Sequence, residues 1–208
     1  MLDTVARRVT GPPLDAVGRR VAGAGIHPTT ITGAGWIIGI ACCLAIVGGA
    51  WGVALVLWLL NRVLDGLDGA VARQTAPSDL GGFLDILADF SIYAGVVLAV
   101  AIEVPDARLA AVSLLVAYYL SGTAFLALSS ILERRRAQDH ADHRSLRFVG
   151  GLAEGTETVI AYVALMVMPQ HAATILWVFL AAVTITVLQR IIEGLVMLRP
   201  EPVHAPVH

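Results

Sequence analysis

The residues able to do chemistry in this chain are gathered in one stretch, Asn61-Arg62-Val63-Leu64-Asp65-Gly66-Leu67-Asp68-Gly69-Ala70-Val71-Ala72-Arg73, followed by Gly81-Gly82-Phe83-Leu84-Asp85-Ile86-Leu87-Ala88-Asp89. On a helix, separations of three and four return to the same side, so Asp65, Asp68, Gly69, Ala72 and Arg73 share one face. Gly81, Asp85 and Asp89 form a stripe on the following helix by the same rule. A tight turn around Pro77 predicts that the two helices are antiparallel neighbours, so that four carboxylates converge in one small volume. An all-oxygen donor set favours hard cations, Mg2+ first and Mn2+ or Ca2+ after it. Two ions held by shared carboxylates would polarise a phosphate and stabilise both the entering and the leaving oxygen of a displacement.

The surroundings make this cluster costly. Of the 208 residues 57% are hydrophobic and only 14% charged, with a mean hydropathy of +0.78. A soluble domain is about half apolar and a quarter charged, so most of this chain belongs in a solvent other than water. There each aspartate at a helix centre costs about 2.5–3.5 kcal/mol, and like charges also repel. Only Arg62 and Arg73 are near in sequence, which leaves about two negative charges for a cation to offset. Gly69 and Ala72 remove bulk beside the carboxylates, so a phosphorylated ligand can approach the backbone, and Arg73 is a fixed cation for its phosphate.

The elements that must position these residues are long apolar helices. A membrane span needs roughly 20 mostly apolar residues. Hydropathy predicts six helices near 30–49, 51–74, 80–103, 107–132, 150–168 and 172–197, an all-α integral membrane bundle. Gly48-Gly49, Ala76-Pro77-Ser78, Pro105 and Pro169 interrupt the pattern where helices should end. Ser78 or Asp79 can cap the third helix. Cys42 and Cys43 are adjacent in an apolar run and read as small packing residues, since neighbouring cysteines do not reach disulfide geometry.

Residues 1–28 mix Leu2, Val5, Val9, Leu14, Val17 and Val21 with arginine pairs and lack the long apolar core of a secretory signal. This segment reads as an amphipathic helix lying on an anionic leaflet. The six-helix domain then covers 29–198, and 199–208, rich in proline, reads as a disordered tail. All basic residues are arginines, and nearly all fall on the side shared by both termini, the loop around Pro77 and the 134–147 loop. Only Arg108 lies in the opposite loops. The positive-inside rule puts both termini and the aspartate cluster on the cytoplasmic side.

The pattern Asp-x2-Asp-Gly-x2-Ala-Arg followed by Gly-x3-Asp-x3-Asp resembles the signature of the CDP-alcohol phosphotransferase (CDP-alcohol phosphatidyltransferase) family. The hydropathy of the whole chain is similar to that family's six-helix fold with a preceding interfacial helix. Seven residues separate Arg73 from Gly81, where the common pattern has eight. The resemblance implies that Asp65, Asp68, Asp85 and Asp89 hold two Mg2+ or Mn2+ ions. It implies that Asp89 is also the general base on the acceptor hydroxyl. Gly69, Ala72 and Arg73 would line the CDP site, with Ser78 beside them. Pro28-Thr29-Thr30-Ile31-Thr32 resembles the family's Pro-Asn-x-x-Thr start of the first span, with Thr29 in place of Asn, so Thr29 and Thr32 are further candidates for the nucleotide. The implied reaction moves a phosphatidyl or other substituted phosphate from a CDP-linked alcohol, such as CDP-diacylglycerol, to a small alcohol, releasing CMP in phospholipid biosynthesis. The implied setting is a bacterial inner membrane with its lipids, and members of the family commonly pair as homodimers. The run Gly150 to Thr158 resembles an uncharacterised bacterial branch of it.

Other signals are less specific. Glu154 and Glu157 either face an acceptor pocket or favour the positive end of a helix. Arg62, inside a span, needs a partner such as Asp65 at i+3 or one of these glutamates. Arg190 and Glu193 read as interfacial residues, and the 134–147 loop, with His140 and His143, as a headgroup contact or a site for a phosphorylated acceptor. The basic patch is too short and too close to the membrane for nucleic acid. Two other classes also place carboxylates in membranes. A prenyltransferase usually has a larger bundle and two separated Asp-rich motifs. A cation transporter gains nothing from Arg73 beside its path.

Overall fold

The computed structural model describes residues 2–75, 77–138 and 155–199, and every regular element in them is helical. In chain order these are α1 (Leu2–Gly23), α2 (Pro28–Val47), α3 (Trp51–Gln74), α4 (Asp79–Glu103), α5 (Arg108–Gln138), α6 (Gly155–Val167) and α7 (Ala172–Met197). Single 3-10 turns at Pro105–Ala107 and Pro169–His171 lead into α5 and α7. The predicted breaks fall where expected. Gly49 takes φ of +68°, a left-handed conformation that glycine adopts without steric cost, and so closes the turn between α2 and α3. Ser78 caps α4 by accepting from the Gly81 amide at 3.1 Å. α5 runs past the predicted 132 to Gln138. The predicted start of the fifth bundle helix, the greater part of the 134–147 loop, Glu154 and nearly all of the C-terminal tail lie outside the described residues.

α2, α4, α5 and α7 are each long and apolar enough to cross a membrane. Their outward faces carry large apolar residues such as Ile37 (68% exposed), Leu109 (69%) and Val178 (68%). In water such surfaces would drive association, whereas hydrocarbon solvates them. Inside, Cys42, Ile46, Trp58, Val96, Val100, Leu114, Tyr162 and Leu176 form a continuous core. Both cysteines are free, Cys42 fully buried with its thiol donating to the Ala54 carbonyl at 3.3 Å, in line with a packing role.

Packing refines the expectation for the two aspartate-bearing helices. α2 packs closely on both α3 and α4, whereas α3 and α4 scarcely meet backbone to backbone. Trp58 stands against Tyr93 and Arg62 against Asp89, so the two run antiparallel, but across a gap rather than in direct packing. Small residues on α2 let the flanking helices close in. A Cβ at Gly39 would lie 2.7 Å from Ile92 on α4, and one at Gly35 only 3.5 Å from Leu64 on α3. The gap left between α3 and α4 is where the carboxylates sit.

α1 contains Pro12 and Pro13, which remove two backbone donors, and it lies across α3 and α6. A Cβ at Gly18 would approach that of Ala70 to 2.9 Å, and Leu14 covers Gly66. α1 is therefore docked on the bundle at the end that carries the aspartates.

Candidate active site

The site has two connected parts. The outer part is an open cavity of about 170 Å³ bordered by His27, Pro28, Thr29 and Thr32 of the α2 start, Asp68, Gly69 and Ala72 of α3, and Pro77, Ser78, Gly81, Gly82 and Asp85 at the start of α4. The inner part has about 10 Å³ of free space and is bordered by all four aspartates together with Thr32, Asn61 and Arg62. That is close to the least volume that holds one water, so the inner part suits an ion or a water and the outer part a larger polar group.

Asp68 is buried and accepts from the Thr32 hydroxyl at 2.6 Å, a bond between α2 and α3. Asp65 and Asp89 are each about a third exposed at the side chain, at 34% and 28%. Arg62 binds both, at 3.7 Å to Asp65 and 2.9 Å to Asp89. Its expected pairing with Asp65 is thus present, but the closer partner comes from α4. The guanidinium is itself held on every side. Its Nε and Nη2 donate to Asn61 Oδ1 at 2.9 and 2.6 Å, and its Nη1 donates to the Tyr93 hydroxyl at 2.8 Å. It stacks 4.7 Å from the Trp58 ring and 5.0 Å from the Tyr93 ring. Asn61 is oriented in turn by donating to the Gly35 carbonyl at 2.8 Å.

Among the described residues, no three His, Cys, Asp or Glu side chains already form a metal cage. The donor chemistry nevertheless fits a hard divalent cation. Four carboxylates border one small space that a single guanidinium shares, an excess of negative charge in a largely apolar bundle.

The candidates for the nucleotide divide. Gly69, Ala72, Ser78, Thr29 and Thr32 all border the outer cavity. Arg73 does not. Its guanidinium folds over Gly69, within 3.5 Å of where a Cβ would be, and forms an ion pair with Asp15 of α1 at 2.9 Å. Thr32 faces Asp68, and Thr29 makes a hydrogen bond with the His27 ring. Glu157 lies away from this site, in an apolar groove between α6 and α7. Arg190 donates to the hydroxyl and carbonyl of Ser121 on α5 at 2.7 and 3.0 Å, so it ties α7 to α5 rather than snorkelling freely.

Two residues at the site, His27 and Tyr93, are not singled out by the sequence, and Asn61, at the head of the aspartate stretch, has no role assigned by it. Asn61 did carry a signal, since an amide inside an apolar span must find partners. His27 looks like an ordinary residue before a helix, yet it caps α2 by accepting from the Thr29 amide at 3.3 Å. Tyr93 is one of several aromatics and nothing local singles it out.

Known proteins give a consistent comparison. The profile of the CDP-alcohol phosphatidyltransferase family matches residues 26–191. Inner membrane protein YnjF of Escherichia coli (strain K12) is 36% identical over 201 residues, covering 96% of this chain and 98% of that protein. Archaetidylinositol phosphate synthase of Pyrococcus horikoshii is 35% identical over 91 residues, 41% of this chain and 48% of its own length. Among solved structures, phosphatidylinositol phosphate synthase of Mycobacterium tuberculosis with CDP-DAG bound superposes with a TM-score of 0.66 at 20% identity, over 91% of this chain and 98% of that one. The same synthase in complex with manganese and citrate gives 0.66 at 21% identity, over 91% and 93%. At these identities the structural likeness establishes the fold.

Proposed function

This chain belongs to the CDP-alcohol phosphatidyltransferase family, and from that premise we propose that it transfers a phosphatidyl group from CDP-diacylglycerol, or a similar CDP-linked alcohol, to a small alcohol and releases CMP. The observation that carries the reading is the paired cavity: an ion-sized pocket of four carboxylates opening onto a larger one lined by Gly69, Ala72 and Ser78. That pairing supports a group-transfer enzyme over a cation transporter, because the larger cavity gives a substrate a place beside Asp68 and Asp85; a prenyltransferase is disfavoured by the single compact motif on two helices. The acceptor oxygen forms its bond to the phosphorus next to the diacylglycerol. The bond from that phosphorus to the CMP oxygen breaks, and CMP leaves with the electron pair. Asp89 takes the acceptor's proton. Asp65, Asp68, Asp85 and Asp89 would hold two Mg2+ or Mn2+ ions, which supply neutralising charge on the phosphates when bound. Arg73 reaches a donor phosphate only by exchanging its partner Asp15.

In this reading α2 to α5 and α7 cross the membrane, α3 despite its charges, the 13 residues of α6 belong to the remaining predicted span, and α1 lies at the interface. Residues 1–28 are then an interfacial segment and 29–198 the catalytic domain. The arginine distribution supports an inner membrane protein with both termini and the site cytoplasmic. Membrane lipid, the CDP-linked donor, a small alcohol and a second copy of the chain are the proposed partners. The test is purified protein with labelled CDP-diacylglycerol, a panel of alcohols and phosphorylated alcohols, and Mg2+ or Mn2+. CMP release that requires both the metal and one acceptor supports the reading. No metal-dependent release with any acceptor overturns it.

A further inference from the structure

The four carboxylates are not equivalent, and the difference lies in one side chain. Arg62 contacts Asp65 and Asp89, and among the described residues no basic side chain pairs with Asp68 or Asp85. Asp68 and Asp85 border the open outer cavity, whereas Asp65 and Asp89 border only the inner space. Arg62 is also built in rather than placed by chance. Its side chain is 11% exposed, and its fork is taken up by Asn61, Tyr93 and Asp89 while Trp58 and Tyr93 cover its plane. A lysine has neither the fork nor the planar face needed to satisfy that surround.

We infer that Arg62 is a positioning residue that makes the cluster asymmetric: it fixes Asp89 through Oδ1, and its charge leaves the Asp65–Asp89 half the weaker of two cation sites. This rests on the phosphatidyl-transfer reading for its kinetic part alone. Asp89 Oδ1 accepts from Arg62 Nη2, so Oδ2 is the oxygen free of the guanidinium for a cation or an acceptor proton. The fixed positive charge touches Asp65 and Asp89 and so opposes a divalent cation there more strongly than one at the Asp68–Asp85 half, with which it makes no contact.

The experiment titrates Mn2+ into the purified full chain in detergent, following free Mn2+ by electron paramagnetic resonance, beside a CMP-release assay. In the unaltered protein the second Mn2+ binds at least about tenfold more weakly than the first. In Arg62→Met that second affinity rises about tenfold, because the opposing charge is gone. At the same time kcat falls about a hundredfold with donor KM little changed, because Asp89 is no longer aimed. Arg62→Lys keeps the charge without the fork, so its weaker Mn2+ affinity stays as in the unaltered protein while kcat remains about a hundredfold down. Loss of both Mn2+ affinities in Arg62→Met would make Arg62 a structural residue only and overturn the inference. So would Mn2+ affinities unmoved by the substitution. Should Arg62→Met not fold, Arg62→Lys decides: full kcat overturns the positioning role, and a low kcat with unchanged Mn2+ binding supports it. If the unaltered protein releases no CMP with any acceptor, phosphatidyl transfer is refuted, and the Mn2+ titrations alone decide the role of Arg62.

Discussion

The carboxylate end of the bundle and its aromatic middle are neighbours on the same helices, yet they solve opposite problems. In the middle, Trp58, Tyr93, Tyr162 and Phe179 pack ring against ring, with centroids 5.1 to 6.3 Å apart. The tyrosine hydroxyls there bond internally, whereas the buried Trp58 indole N–H has no hydrogen-bond partner among the described residues. The Tyr162 hydroxyl donates to the Tyr93 carbonyl at 2.7 Å, so the Tyr118 hydroxyl, 2.9 Å away, is the donor in their shared bond. At the carboxylate end, α3 and α4 stand apart and acids outnumber the one cation lining the space. Arg62 joins the two regions, with its plane on the aromatic side and its fork on the acidic side. A membrane bundle can thus carry unpaired acids when the adjacent layer is well enough packed to hold them in place.

Substitutions on the two sides should therefore fail differently. The largest expected effect is at the acidic end: Asp89→Asn lowers CMP release about a thousandfold, the scale of a lost general base, while binding of the CDP donor and the unfolding temperature are largely kept. A fully active Asp89→Asn protein would remove that residue from the chemistry. In the middle, Trp58→Ala removes a fully buried ring and should cost about 3–5 kcal/mol of stability, read as a lower thermal or denaturant midpoint in detergent. Its kcat should also fall, because Arg62 loses one of its two covering rings. An unchanged midpoint would mean that the aromatic layer is not what holds the site. The smallest effect belongs to the exposed ion pair at the rim. Asp15→Asn releases Arg73 for a donor phosphate, so donor KM should fall by no more than about threefold, in keeping with the small energies of surface pairs. A raised KM would mean instead that Asp15 holds Arg73 where the donor needs it.

Much of this difference was legible in the residue order. The helix ends followed from Gly48-Gly49, Pro105 and Pro169, because backbone chemistry acts locally. The shared face of Asp65, Asp68, Gly69 and Ala72 followed from helical spacing, and the structure gathers all four aspartates around one space. What was not legible depends on contacts between distant parts of the chain. Asp65 is visible to Arg62 at i+3, but Asp89 becomes its closer partner only because α2 holds α3 and α4 at the right separation. The Thr32 bond to Asp68 and the Asp15 hold on Arg73 join residues 36 and 58 positions apart, which no periodicity encodes. Direct packing of α3 on α4 was the natural expectation from a short turn, and the small residues of α2 are the reason it does not occur.

The most direct test of phosphatidyl transfer at the carboxylate end is the fate of one phosphorus atom. CDP-diacylglycerol labelled at the phosphate next to the glycerol is supplied with Mg2+ and the acceptor that supports turnover. All transferred label is expected in the lipid product and none in CMP, and chelation and Asp85→Asn are each expected to stop the transfer. Label released in CMP, or transfer that persists without a divalent cation, would contradict that expectation.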